Sequence, residues 1–366
     1  ELQITNPSTD VTISAGTVTP VTAVAISGTT TLATPMTISG SSNMRTGATV
    51  RVAIGGVLSD SEGAISAVDG TWSVNAAPSS GQTVIAFVED SDSNESTAIT
   101  KYDGSGDITG MVLNQNVLSI GSADNQSLTL ANIDDYQNSV NENVMHSVVS
   151  SVLTVDDDSV YSTEKIDVLA NNTLTVGGTE TLTTHHLTIS GTLTSSGNST
   201  YNVAGDFTNN DTFTKSTSTI TLNGSGSQTV SGTGTLDFYN LTNSNTSAAV
   251  AFNNSFSLSG TLTVNSGSVL NPGAAITISG AGTLTGAGKV KITKTNGSDD
   301  FNNQYTITNK TLTNLTVDYA GSGNALSAYT YKNLDITGTV NTGSSSVTVT
   351  GAFNVTGTFS PAGGTV

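Results

Sequence analysis

Ser259-Gly260-Thr261-Leu262 returns twenty residues later as Ser279-Gly280-Ala281-Gly282-Thr283-Leu284, and Thr337-Gly338-Thr339-Val340 returns after nineteen as Thr356-Gly357-Thr358-Phe359. Behind each glycine, β-branched or apolar residues alternate with small polar ones. A strand-turn unit repeating at about 20 residues predicts a parallel β-solenoid, in which each turn stacks on the last with apolar positions inward and polar ones outward. The abundant Thr then belongs on the solvent side of the strands. Asn belongs at turns, where its amide reaches the adjoining coil. A longer echo overlies the short one. Leu187-Thr188-Ile189-Ser190-Gly191-Thr192-Leu193 matches Leu334-Asp335-Ile336-Thr337-Gly338-Thr339-Val340 at an offset of 147, which predicts a second-order repeat. Extending that register places Val366 opposite Ile220, in mid-strand, so the chain is expected to stop inside a repeat and to be completed by a continuation or by a neighbour.

Working outward, period-2 patterns at Thr12 to Ser14, Val50 to Ile54, Thr83 to Val88 and Ser346 to Thr350 predict half-buried strands. The single helix candidate is Asn132 to Val149. Residues 22–106 carry turn signals at short, regular intervals between short strands at Ala23 to Ile26, Met36 to Ser39, Thr49 to Ile54, Ala64 to Val68, Trp72 to Val74, Thr83 to Val88 and Thr97 to Lys101. Seven short strands so spaced predict a β-sandwich. The expected organisation is an N-terminal strand segment over 1–21, the sandwich over 22–106, and a solenoid over 107–366, irregular through 170 and regular from 171. The fold class is all-β.

Two resemblances accompany this reading. Asp69-Gly70-Thr71-Trp72-Ser73-Val74 resembles the Asp-Gly-Thr-Trp signature of bacterial immunoglobulin-like repeats in surface adhesins, which implies an Ig-like sandwich with Trp72 in its core. Tyr239-Asn240-Leu241-Thr242, Thr313-Asn314-Leu315-Thr316 and Tyr331-Lys332-Asn333-Leu334-Asp335-Ile336 look like coils of the right-handed β-helix modules of large bacterial surface proteins. That likeness implies a secreted or cell-surface location and an adhesive or scaffold role.

Composition narrows the function classes. With 28 acidic residues against 10 basic ones, the net charge of −18 opposes capture of a phosphate backbone or an anionic membrane surface. The absence of cysteine removes disulfides, thiolate nucleophiles and Cys-based zinc sites. No apolar run is long enough to span a bilayer as a helix. The chain opens at Glu1, which fits a processed or excised segment.

Catalytic patterns are weak. Polysaccharide lyases of β-helix shape need clustered carboxylates for Ca²⁺ with an Arg or Lys base, and glycosidases need two close carboxylates. After residue 170 the acids are mostly isolated, and Arg45 and Arg51 both precede the solenoid. The expectation is therefore no enzyme and no required cofactor. Fifteen of the acids fall between Glu89 and Asp167, and Asp90, Asp92 and Asn94 have the alternate spacing of a Ca²⁺ loop without its glycine and distal glutamate. His185 and His186, adjacent on one strand, are expected to point to opposite faces. Leu2, Ile4, Val11, Ile13 and Val366 are the expected assembly residues, through strand donation or stacking of solenoid ends. The leading expectation is a self-assembling structural protein of an extracellular filament, stalk or sheath. An adhesin holding polysaccharide on Tyr239, Tyr329 and Tyr331 is the second, and a β-helix polysaccharide enzyme the third.

Overall fold

The computed structural model describes residues 35–89, 95–155, 163–295, 298–342 and 346–361. It opens with seven strands: β1 (Met36–Ser42), β2 (Thr49–Ile54), β3 (Val57–Ala64), β4 (Thr71–Ala76), β5 (Thr83–Glu89), β6 (Ser96–Lys101) and β7 (Ile108–Leu113). One sheet has the order β4-β1-β7, antiparallel between β1 and β4 and parallel between β1 and β7. The other begins β3-β2-β5-β6, antiparallel throughout. The strand expected at Ala64 to Val68 lies instead at Val57–Ala64, whose Ser-Asp-Ser-Glu stretch reads as loop. Gly55 and Gly56 decide this. Both have positive φ, 52° and 81°, as a two-residue hairpin turn of matching twist requires, and they set Ile54 opposite Val57.

Val50 and Val52 of β2 and Val84, Ala86 and Val88 of β5 face Ile38, Trp72 and Val74 across the gap between the sheets and close one core. The reverse faces of β2, β5 and β6 are covered as well. Ala53, Ile85, Phe87 and Ile99 belong to a second core, shared with Leu118 and Ile120 of β8 (Val117–Ile120). Thr83 to Val88 is consequently buried at six consecutive positions, where its alternation predicts a half-buried strand. This is a difference of context: a solenoid packs against the face that a free sandwich would show to water.

The join between the two parts is an interlock. β6 pairs antiparallel with β5 but parallel with β8, and from β6 onward the long sheet continues in parallel through twelve strands to Phe353–Val355. The solenoid therefore begins near Ser96. The expected boundary after residue 106 separates β6, which lies in the solenoid's sheet, from β7, which pairs back onto β1.

The helix expected over Asn132 to Val149 shrinks to α1 (Leu130–Ile133), followed by turns and the strand His146–Val149. The β-branched end of that stretch favours a strand, and its Asn-rich middle favours turns. His146–Val149 forms an antiparallel hairpin with Val152–Val155 and starts a second ladder. Its outer edge is occupied: Asn138 N–H donates to His146 O at 2.8 Å, and Val148 N–H donates to the Gln137 side-chain carbonyl at 2.6 Å. Closing an edge with a side chain prevents further strand pairing there.

The second ladder continues through Thr181–Thr184, Thr200–Val203, Thr219–Leu222, Asn240–Asn243, Thr261–Val264 and Thr283–Gly286. Leu182, Tyr201, Ile220, Leu241, Leu262 and Leu284 are successive partners, all buried. Their spacing along the chain lengthens from the first pair, Leu182 and Tyr201, to the last, Leu262 and Leu284. Rung length therefore varies at the corners while the strands hold register. Thr261 pairs with Thr283, the extra residues of that rung being Ala281 and Gly282 at a corner. Leu187 and Leu334 lie seven strands apart on the long sheet, so the offset of 147 between them is seven rungs of ordinary length. The longer echo follows from the short repeat and is not a second order of structure.

Corners are held by amides, as the Asn content predicts. Gln228 donates to Val203 O and Gly205 O, each at 2.8 Å, and accepts from Gly224 N–H and the Asn245 side chain. Asn240 and Asn333 each accept, at 2.9 Å, from a backbone N–H of the next rung, Thr261 and Ala352. Gly286 shows why glycine is needed at a tight corner. Its φ is +128°, and a Cβ there would collide with Val264 O of the rung below.

Inside, Tyr201, Phe207, Phe213, Phe238, Phe252 and Phe256 make a chain of ring contacts across consecutive rungs, with centroids 4.7 to 6.0 Å apart. Further along, a segment carrying α2 (Asp300–Gln304) leaves the coil path and packs buried Phe301 against Tyr305, Tyr329 and Tyr331. Gln304 anchors it, accepting from Thr293 N–H at 2.7 Å and donating to Gly273 O at 3.1 Å.

Candidate functional site

The residues named from sequence fall into three groups. Asp90, Asp92 and Asn94, the expected Ca²⁺ ligands, lie outside the described residues, as do Leu2, Ile4, Val11, Ile13 and Val366. The tyrosines are described, and they do not form one platform. Tyr331 is fully buried. Its hydroxyl donates to Ser327 O at 2.7 Å and lies 3.0 Å from the Tyr319 hydroxyl, which accepts from Ser327 N–H. Burial pushes the Tyr331 phenol far above its ordinary pKa and that of Tyr319 up to about 12. Tyr331 is thus a core residue, its ring turned inward by strand alternation, and it offers no face to a sugar.

Tyr329 is half-buried beside it. Its hydroxyl donates to the Asn302 side chain at 2.6 Å, and the Lys310 ammonium sits 5.9 Å from its ring centre and 5.8 Å from that of Phe301. Burial lowers the Lys310 pKa, the Asp299 charge opposing that shift. The cation over the ring occupies the place where a sugar would stack. Tyr239 stands four rungs away, roughly 19 Å at about 4.8 Å per rung, at a corner against Gly260.

The sequence pattern misses a polar cluster on the flank that carries Asp237. Ser257 Oγ donates to Asp237 at 2.5 Å, and Lys215 Nζ bridges Asp237 at 2.6 Å and Ser259 Oγ at 2.7 Å. Beside it lies an open groove of about 420 Å³ lined by Thr235, Asn254, Ser255 and Thr277, and Lys294 donates to Thr277 Oγ1 at 2.8 Å. The cluster joins residues from different rungs, so only coil stacking brings them together. Lys215 donates to both partners and pairs the Asp237 charge.

His185 and His186 also correct an expectation. His185 sits between the strands Thr181–Thr184 and His186–Ile189, so alternation does not apply to the pair, and their rings meet edge to face at 4.5 Å. Asp206 N–H donates to His186 Nδ1 at 2.8 Å, which takes up that lone pair. Among the described residues no group of three or more His, Asp or Glu side chains is placed to hold a metal ion. No helix among them is long and apolar enough to cross a membrane.

No family model, no curated protein and no solved structure matches this chain. The class that its geometry defines is an all-β repeat protein with a parallel β-solenoid.

Proposed function

We propose that this is a non-enzymatic structural protein of an extracellular filament, stalk or sheath, built by adding strands to the edges of its long sheet. The observation that carries the reading is the far end of that sheet. Phe353 and Val355, on the last strand of the long sheet among the described residues, are 38% and 43% exposed, whereas their inward counterparts Leu334 and Ile336 on the preceding rung are fully buried. A further rung, from the same chain or another copy, would cover them, and unpaired parallel edges recruit strands through backbone hydrogen bonds. At the other edge β3 carries Asp60 and Glu62, charges that discourage indiscriminate pairing.

The N-terminal sheets support an Ig-like reading in part. The β1–β4 pair and the order β3-β2-β5-β6 correspond to the B–E pair and the C′-C-F-G sheet of that fold. Trp72 departs from it, lying on the fourth strand rather than on the strand equivalent to C. Electron microscopy and sedimentation of the purified chain test the assembly proposal. Filaments or concentration-dependent oligomers are expected, with Val355→Lys shifting the material toward monomers. Uniformly dispersed wild-type monomers at high concentration would sink it.

A polysaccharide-binding adhesin is the second reading, favoured by the hydroxyl-lined groove beside Asp237. Glycan-array binding lost on Lys215→Ala or Tyr239→Ala supports it, and a blank array counts against it.

A further inference from the structure

Among the described strands, the second ladder carries the longest uncharged outer face. Over the six strands from Thr181–Thr184 to Thr283–Gly286, every rung presents two outward positions, and the twelve side chains there are ten threonines and two asparagines, Asn202 and Asn240. All twelve are partly exposed, while the residues between them point into the core. The pairing is residue on residue without a slip: Thr183, Asn202 and Thr221 follow one another, as do Thr242, Thr263 and Thr285. Parallel strands in register set the rungs about 4.8 Å apart and the two columns about 6.6 Å apart. The result is a two-column lattice of hydroxyl and methyl groups roughly 24 Å long.

Strand propensity does not account for this composition. The long sheet imposes the same parallel backbone, yet its outward positions include Lys165, Asp167, His186, Lys289 and Lys291. Threonine without charge is thus confined to particular faces: this six-strand one, and a shorter sheet whose outward positions are Thr173, Thr175, Thr192, Thr194, Thr212 and Thr214. A β-branched side chain is held to few rotamers on a strand, so the array is also stiff. The hydroxyls of Thr221, Thr242, Thr263 and Thr285 have no intramolecular hydrogen-bond partner among the described residues, which leaves their bonding capacity directed outward. The only aromatic residue of these six strands, Tyr201, points inward, so the face lacks the stacking surface on which a sugar ring would be held.

A rigid, uncharged, periodic array of hydroxyls and methyls suits a ligand that is itself periodic and made of hydrogen-bonding oxygens. We propose that this threonine face binds crystalline water: its methyl groups fit between, and its hydroxyls substitute for, water oxygens at the periodic surface of ice. Each contact is weak, but the contacts form on a common lattice, so detachment requires that many be broken together. The proposal is independent of whether copies of the chain assemble.

The test uses the full chain and ice as the probe. A fluorescently labelled sample is exposed to a slowly growing ice hemisphere, and thermal hysteresis is measured in parallel. The wild-type chain is expected to enter the ice and to depress its growth temperature. Thr221→Lys and Thr242→Lys, in the middle of the face, are expected to cut both signals by at least about tenfold. Thr188→Lys, at an outward position of the long sheet, is expected to leave them unchanged. Circular dichroism and melting temperature establish that each variant folds. Exclusion of the folded wild-type chain from ice overturns the proposal, as does undiminished ice entry by both face variants. Capture by crystalline cellulose or chitin that those substitutions abolish, without ice entry, overturns it in favour of a glycan.

Discussion

His146 shows how one side chain can couple folding to pH. It is fully buried, and its Nε2–H donates to Ile133 O at 3.0 Å. Desolvation lowers its pKa from 6.5 to about 4. Because the folded pKa lies below the unfolded one, the unfolded chain takes up the proton first on acidification. Stability from this residue is therefore intact above pH 6.5, declines from there toward pH 4, and has a full span of about 3 kcal/mol. Chemical denaturation across that window is expected to show a slope that His146→Gln reduces by one proton. An unchanged slope would place the titration elsewhere. Tyr331 teaches a related lesson about reading residues singly. In the sequence it is an aromatic beside a lysine, suited to sugar stacking, and only strand alternation at Thr330–Tyr331 turns it inward to meet Tyr319.

At the scale of elements, each short strand is stable only as part of a ladder. Such a strand buries one or two side chains, too little to offset its ordering entropy, so neighbouring rungs must supply the rest. The aromatic chain through Phe207, Phe238 and Phe256 concentrates that mutual support. Phe238→Ala is expected to destabilise the fold by about 3–5 kcal/mol and Phe238→Leu by much less, read from denaturant melts. Equal effects of the two would mean that the cavity is not what matters. Much of the element level was legible in sequence: period-2 alternation located the solenoid strands because each has one wet and one dry face. It failed where that condition fails. β5 is dry on both faces, β3 is placed by Gly55 and Gly56 despite a loop-like composition, and His185 falls between strands.

For the whole molecule the net charge of −18 opposes compaction, and the described ion pairs are few and partly exposed, including Lys215–Asp237 at 2.6 Å, Lys289–Asp335 at 2.7 Å and Lys165–Asp167 at 3.1 Å. Such pairs contribute little, whereas self-repulsion acts over the whole chain and is screened by salt. The melting temperature is accordingly expected to rise between ~0.01 and ~0.15 M NaCl. A fall would assign the larger electrostatic effect to the ion pairs. The sequence by itself determined the all-β class, the stacking of short repeated coils, the inward and outward roles of their residues, and the amide-held corners, because all of these depend on local alternation and short-range spacing. Only the tertiary structure decided that the N-terminal strands share a sheet with the solenoid, that Tyr331 is core, that Lys215 meets Asp237, and that one face gathers ten threonines while another gathers the charges. Those outcomes depend on which rung lies over which, and the corners that set this vary in length from one rung to the next.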